Sequence, residues 1–471
     1  MILKQKHISG AFPHLSAVDN YPDLLVDPFF QKLRKEEFSR LDDSDHTYLD
    51  FTGGGLYADS QLSSHFKQLR NSVLGNPHST NPSSQLSTQR VDEARAKVLE
   101  YFNGTEEYEC IFTANASAAL KIVGECYPFY DNGHMLMTYD NHNSVNGIRE
   151  YCTSKGGSYE YCKLYLENLR ANKDQLYRAL LKHPDKKNKL YAFPAQSNVS
   201  GVKHSLGDVK RAQDNGWDVL LDAAAFVPTN KLDLKEVSPE FATVSFYKIF
   251  GYPTGLGCLL VKKSVFHKLK KPWFAGGTVS FVSVNTGEHF LHNNHEKFEN
   301  GTINYLDIPA IKIGLEWIDS IGIERIHKRV TDLTGLMIDE MSSLKHSNGQ
   351  CLVTVLGPNE NVDRGGTIIF NLNTFDGKVD NYFEIEKAAN EANISLRTGC
   401  FCNPGIDEIM SCVSNEESLR YYTFMEEHDY NYEKLVVLLG RMRGAIRVSL
   451  GYVTNLNDVN NFIGFLRKYL K

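Results

Sequence analysis

The sequence predicts an α/β protein: a mostly parallel central sheet with helices on both faces, plus a smaller α+β lobe. Three observations carry this expectation. Strand-like and helix-like stretches alternate from about residue 48 to 310, the pattern of parallel strands joined by crossover helices. Polar residues collect at the ends of apolar strands, at Ser117, His142, Asn198, Asp222 and Lys248, a placement that packing alone does not favour. Beyond residue 310 the alternation gives way to amphipathic helices and short strands.

Residues 1–45 read as a helical arm, broken at Tyr21-Pro22 and Asp27-Pro28, that packs with the small lobe. Residues 46–310 form the large unit. Tyr48-Leu49-Asp50-Phe51 runs into Gly53-Gly54-Gly55, read as a structural turn. His78 reads as a surface or packing histidine. Residues 91–102 are an amphipathic helix and 109–113 a strand. Ala114-Asn115-Ala116-Ser117 then opens a helix of small residues. A strand, a tight turn and a helix N-terminus make a ready anion site. Ser117 either caps that helix or binds a phosphate oxygen.

Residues 135–139 are the next strand, with Asp140–Ser144 at the carboxyl end, where open α/β sheets place ligands. A strand, a helix and a strand follow over 158–193 and run into residues 194–201. Residues 219–222 put the Asp222 carboxylate at the end of an apolar strand. It needs a positive partner such as a protonated pyridine nitrogen; a salt bridge or a helix cap is the alternative. Residues 241–246 read as a strand that delivers Lys248 to the sheet's end, ahead of a Gly/Pro-rich loop. A buried lysine is costly unless paired or neutralised. Schiff-base chemistry with an aldehyde cofactor neutralises it, whereas a solvated turn lysine needs no partner. Residues 256–261 are a further strand.

Residues 311–471 form the small lobe. Helices are expected over 311–321, 324–341, 379–392 and 459–470, and strands over 352–355, 366–370, from 394, and over 444–450. Residues 408–432 read as an acidic, irregular excursion.

The totals exclude several classes. The 471 residues carry a formal net charge of −6, with 42% hydrophobic and 23% charged residues, as in a soluble globular protein. That charge gives no support for nucleic-acid binding. No apolar run approaches a membrane span, and residues 1–7 lack a signal-peptide core. Nine cysteines, an odd number spread along the chain, point to reduced thiols and a cytoplasmic location.

Three segments carry a resemblance: residues 245–257 around Lys248, Leu396-Arg397-Thr398-Gly399-Cys400-Phe401-Cys402-Asn403-Pro404-Gly405, and residues 444–452 around Arg447. Lys248 after its serine frame, Asp222 upstream and the turn at 114–117 resemble the class V aminotransferase family, and within it the three segments look closest to the aminotransferase-like domain of molybdenum cofactor sulfurases. The resemblance implies fold type I of the pyridoxal-phosphate enzymes and pyridoxal 5'-phosphate as cofactor. It implies that Lys248 holds the cofactor aldehyde, Asp222 pairs with the pyridine nitrogen, and His142 stacks on the ring and serves catalysis. Asn198 would sit near the ring oxygen, with Tyr247 beside the cofactor. Ala116, Ser117 and Ser245 would hold the phosphate, and Thr278 would reach the phosphate of a second subunit in a homodimer. Arg447 would clamp the substrate carboxylate, with Arg397 and Asn198 also on the substrate. Cys402 matches the family's persulfide-forming cysteine, in a loop suited to swinging. Cys400 is its competitor. Cys400, Cys402 and Cys412 make poor zinc spacing, so no metal is assigned.

Two departures matter. Asp222-Ala223-Ala224-Ala225 and Ser245-Phe246-Tyr247-Lys248 stand where the family often has Asp-x-Ala-Gln and Ser-x-His-Lys. The chain also ends at Lys471, where the sulfurases usually continue into a domain that binds the molybdenum cofactor. The expected activity is a cysteine desulfurase that takes sulfur from L-cysteine, releases alanine and serves an unknown acceptor. That acceptor could be a separate molybdenum-cofactor-binding protein. The alternatives are another class V reaction, namely a C–S or C–Se β-lyase, a selenocysteine lyase or an aminotransferase, and a non-catalytic sulfur-carrier or scaffold homologue.

Overall fold

A computed structural model of the chain describes residues 12–130, 132–428, 434 and 443–471. Among these residues the larger sheet has seven strands. From one edge they are Tyr108–Thr113, Gly257–Lys262, Phe241–Ser245, Asp218–Asp222, Lys189–Pro194, His134–Thr138 and Ser158–Cys162. Only Gly257–Lys262 runs against the rest, pairing antiparallel with both neighbours. The remaining pairings are parallel.

Both faces of this sheet are covered. Leu221, Val244 and Phe193 pack against the helices Pro82–Tyr101 and Ile308–Ile321 in one core. Leu220, Phe241 and Leu190 pack against Ala116–Cys126 and Ile148–Ser154 in the other. Burial on alternate faces explains why residues 219–221 are apolar without a break.

The smaller sheet is antiparallel, in the order Val353–Leu356, Thr367–Leu372, Ala445–Ser449, Arg397–Gly399. Its core takes Leu333 and Met337 from the helix Ile323–Ser343 and Phe462 and Ile463 from the helix Leu456–Arg467. One stretch, residues 47–50, crosses to this lobe from the N-terminal side. Thr47–Tyr48 pairs with Ile394–Ser395, and Asp50 bridges to Ser449. The arm spans both cores, with Leu15, Val18 and Leu24 in the smaller one and Phe30, Phe38 and Leu41 in the larger. Arg34 fastens it, donating to Asp458 at 2.8 Å and to the Val453 carbonyl at 2.9 Å.

Several elements differ from expectation for local reasons. The Lys248 strand stops at Ser245, and Lys248 lies in the short helix Phe246–Phe250. The expected strand from 394 splits into Ile394–Ser395 and Arg397–Gly399, in different sheets. The helix expected at 91–102 begins at Pro82, because Asn81 caps it and proline suits the first turn. Residues 408–428 are mainly helical rather than irregular: Pro404–Met410 is capped by Asn403, and Asn415–Glu427 by a Ser414/Glu417 capping box. Residues 429–432 of that expected excursion lie outside the described residues. The hairpin Val279–Val282/His289–Leu291 was not anticipated. Among the described residues no helix is long and apolar enough to cross a membrane.

Candidate active site

Loops at the carboxyl ends of the parallel strands converge on a cleft of about 890 Å³, its open mouth included. Ala116, Ser117, His142, Asn198, Asp222, Ser245, Tyr247 and Lys248 all line it. The alternation of strand and crossover helix puts these residues together, because each one follows the buried end of a strand.

The sheet side of the cleft has open valences. Lys248 Nζ makes no hydrogen bond or ion pair with a described residue. Burial pulls its ammonium below the ordinary lysine value. Asp222 opposes that shift, and Arg447 and Arg397 add to it. Asp222 is buried; its Oδ1 accepts from the Ala224 N–H at 3.0 Å and the Thr243 hydroxyl at 3.4 Å. No cation among the described residues pairs with it. His142 Nδ1 accepts from the Ser144 N–H at 3.1 Å, which leaves the ring proton on Nε2. Burial holds this imidazole below its usual value, with Asp222 acting the other way.

An anion cradle forms at the start of Ala116–Cys126. Asn115, not Ser117, caps this helix by accepting from the Ala118 N–H at 3.0 Å. Ser117 is therefore free to turn into the cleft, where its hydroxyl meets that of Ser144 at 2.6 Å. Ser245 Oγ accepts from the Ala116 N–H at 2.9 Å and keeps its own proton to donate.

The facing side carries its own counter-ion. Arg447, buried on Ala445–Ser449, donates to Asp50 Oδ1 at 2.8 Å and to the Asn198 carbonyl at 2.9 Å. Its Nε has no hydrogen-bond partner among the described residues. Arg397 donates to the same carboxylate, from Nη2 at 2.6 Å and from Nε at 3.1 Å. Two guanidiniums thus share one carboxylate and leave one positive charge in excess. Gly53 makes room for the group: a Cβ there would lie 2.2 Å from Asp50 Oδ2 and 2.6 Å from Arg397 Nη2. The glycine turn, read from sequence as merely structural, serves this charge cluster. Asp50 was missed, although it repeats the signal of Asp222, a carboxylate closing an apolar strand. Gln196, which also lines the cleft at a strand end, was passed over too.

Cys402 is exposed and lies beside the cleft rather than in its lining. Phe401 and Cys402 both take left-handed backbone, at φ 55° and 54°. For non-glycine residues that costs roughly 1–2 kcal/mol each, and four hydrogen bonds offset it. Asn198 Nδ2 donates to the Phe401 carbonyl at 2.9 Å, and the Asn143 N–H donates to the Cys402 carbonyl at 2.8 Å. Asn403 Nδ2 reaches the Asp140 carbonyl at 2.7 Å and Asn198 Oδ1 at 3.0 Å. Gly405 lets the loop lie on its neighbour, since a Cβ would come within 1.9 Å of the Tyr139 carbonyl. The loop expected to swing is therefore held on both sides of the thiol. Asn198 spends its amide on this loop, an engagement not anticipated from sequence.

Cys400 differs. Burial, reinforced by Asp407, pushes its thiol up to about 12. Among the described residues Cys400, Cys402 and Cys412 do not assemble a metal-binding group. Thr278 stands apart from the cleft. It is buried, and its Oγ1 donates to the Ala275 carbonyl and accepts from the Ala275 N–H, each at 2.9 Å.

Known proteins match this chain in sequence and in fold. The family model described as Aminotransferase class-V matches residues 47–462. A molybdenum cofactor sulfurase of Oryza sativa subsp. japonica is 36% identical over 93% of this chain and 57% of its own length. Its Arabidopsis thaliana counterpart gives the same identity and the same two shares. The chain thus spans a little over half the length of these curated relatives. Among solved structures, the apo cysteine desulfurase from Thermococcus onnurineus NA1 superposes with a TM-score of 0.76 at 22% identity, covering 93% of this chain and 97% of that one. That likeness establishes the fold, and the family match over most of the sequence establishes descent: the chain belongs to the aminotransferase class-V family.

Proposed function

We propose that this chain is a pyridoxal-phosphate-dependent cysteine desulfurase, similar to the molybdenum cofactor sulfurases. It converts L-cysteine and the Cys402 thiol into alanine and a Cys402 persulfide, then passes that sulfur to an acceptor. One observation carries the proposal. Among the described residues, a lysine with no hydrogen-bond or ion-pair partner and a buried carboxylate with no cation share a cleft whose rim holds an exposed cysteine in a pinned loop.

The residues fit the cofactor. Asp222 lacks a cation, as a partner for a protonated pyridine nitrogen requires. Ser117, Ser245 and the helix N-terminus offer donors for a phosphate. Lys248 offers a free amine, His142 a ring face and Tyr247 a neighbouring side chain. When bound, pyridoxal phosphate supplies an aldehyde for the substrate amine and a sink for carbanion electrons.

The chain's residues do the rest. Lys248, with its ammonium pulled down by burial, removes the α-proton as general base. The excess charge of Arg447 and Arg397 draws in the substrate carboxylate. Cys402 Sγ forms a bond to the substrate sulfur as the carbon–sulfur bond breaks, and a proton returned to carbon completes alanine. Cys402 takes this role over Cys400 because it is exposed while the Cys400 thiol is pushed up. Residues 46–310 hold the cofactor, and residues 311–471 supply Arg447 and Cys402.

The exposed hairpin, with Phe281, Val284 and Phe290, supports a homodimer; to reach the phosphate of the second subunit the buried Thr278 hydroxyl has to leave its Ala275 partners. Nine free cysteines fit a reducing compartment such as the cytoplasm. The name of the curated relatives points to a molybdenum-cofactor-bearing acceptor for this sulfur.

The test is mass spectrometry after cysteine treatment. One added sulfur on the Cys402 peptide is expected. Sulfur on Cys400 alone, or full sulfur transfer by Cys402→Ser, overturns the assignment. A β-elimination or transamination would need Lys248 and not Cys402, so the same variant separates these reactions.

A further inference from the structure

At the opposite end of the large sheet, three side chains from three separate elements converge. His134 opens the strand His134–Thr138, Glu160 lies on the edge strand Ser158–Cys162, and His183 follows the helix Lys173–Lys182. We propose that His134, Glu160 and His183 bind one divalent cation of the zinc class.

The distances suit such an ion. His183 Nε2 lies 3.1 Å from Glu160 Oε1, and His134 Nε2 lies 3.5 Å from the same oxygen. All three ligand atoms fall within 4.8 Å of one another. Tetrahedral zinc, with bonds of about 2.0–2.1 Å, separates its ligands by roughly 3.3 Å, so small movements close the site.

His134 supplies the decisive observation. It is 2% exposed, and its Nδ1 is bonded to Ser158 Oγ at 2.8 Å. Its Nε2 is buried with no hydrogen-bond partner among the described residues, and Glu160 is the nearest acid to it. A plain polar network accounts for His183 and for Lys182, whose Nζ reaches Glu160 Oε2 at 3.0 Å. It leaves His134 Nε2 with only a 3.5 Å approach to Glu160 Oε1 and no hydrogen bond among the described residues, and leaving a buried polar atom unmatched is costly. A cation takes that lone pair. The Ser158 bond fixes the tautomer, as outer partners of metal-bound histidines do. Lys182, mostly exposed, either stays on the second carboxylate oxygen or swings into solvent.

On binding, the His183 proton moves from Nε2 to Nδ1, and no net proton is required. Glu160 and His183 are partly exposed, so water completes the fourth position from the solvent side. The ion would tie the edge strand to its neighbour and to the helix end. It lies at the amino ends of the strands, away from the cleft, so its role is to staple the edge rather than to act on substrate.

The cofactor-loaded full chain is stripped with chelator, dialysed against Zn²⁺ and assayed for metal. Cysteine thiols also bind zinc, so Cys402→Ser and Cys400→Ser serve as controls. One equivalent is expected in the wild type and in both cysteine variants, with affinity weakened about tenfold or more in His183→Ala and Glu160→Gln. Zinc should raise the melting temperature of the wild type and not that of His183→Ala. Cobalt should give weak visible bands without thiolate charge transfer. Absence of stoichiometric zinc, or zinc that survives His183→Ala and is lost with the cysteines, overturns the proposal. His183 caps a partly exposed helix end, so its variant remains informative even where His134→Ala does not fold. Alanine release from cysteine should be unchanged in His183→Ala, which keeps this test apart from the desulfurase assignment.

Discussion

The two sides of the cleft treat charge in opposite ways. On the sheet side, Lys248 and Asp222 are brought together with no ion pair to either among the described residues. On the facing side, Arg447 and Arg397 already hold Asp50, with one guanidinium charge left over. An unmatched buried charge is expensive to maintain, whereas a matched one is cheap to keep and slow to rearrange. The sheet side therefore depends on what binds to it, and the facing side is a preformed frame that adds a carboxylate to an existing cluster.

Breaking the sheet side should have the largest effect. Lys248→Ala should lower alanine release by about 10³-fold or more, since the proposed function makes one group both cofactor anchor and base; a loss under tenfold would remove Lys248 from the chemistry. Cys402→Ser should keep the visible absorbance of bound cofactor and lower sulfur transfer by about 100-fold, with Cys400→Ser within about threefold of wild type. If the two variants behave alike, the contrast in exposure between the two thiols is irrelevant.

Asp50→Asn tests the facing side. It strands the buried Arg447 guanidinium, so urea unfolding should report a loss of about 3–5 kcal/mol. A loss below about 1 kcal/mol would mean that Arg447 does not need its counter-ion.

Thiol labelling sharpens the comparison with a smaller effect. Cys402 should alkylate near neutral pH, while Cys400, pushed up to about 12, should resist until strongly alkaline pH. Equal labelling at neutral pH would undo the distinction.

The smallest effect is in pH-dependent stability. In cofactor-free protein, Lys248 binds its proton less tightly folded than unfolded. The folded state therefore carries a penalty below the lowered folded value. That penalty fades as pH rises, and it is gone above the ordinary lysine value of about 10.4. Stability should rise with pH across that window, and Lys248→Met should flatten the rise. A wild-type slope identical to that of the variant would refute it.

The sheet side was legible because its signals are local. Ser117, His142, Asn198, Asp222 and Lys248 each follow an apolar run, and the alternation of elements sends those ends to one place. The facing side was only half legible. Arg447 stood out in an apolar strand, but its partner Asp50 lies 397 residues away in sequence and pairs through a sheet that the chain completes last. Over 408–427 the acidic composition suggests an irregular excursion, and only the caps Asn403 and Ser414 mark the helices. The His134, Glu160 and His183 cluster left no trace in spacing, since each member belongs to a different element.

By itself, the sequence determined the order of elements, the alternation that makes a parallel sheet, the strand-end residues of the cleft and the two candidate thiols. These follow from periodicity and turn chemistry, which contiguous residues encode. Only the tertiary structure decided that Asn115 rather than Ser117 caps the cleft helix, that Cys402 is exposed while Cys400 is pushed out of the thiolate range, and that Asp50 neutralises Arg447. Each of these depends on burial and on charges brought from distant parts of the chain, and neither quantity exists until the chain has folded.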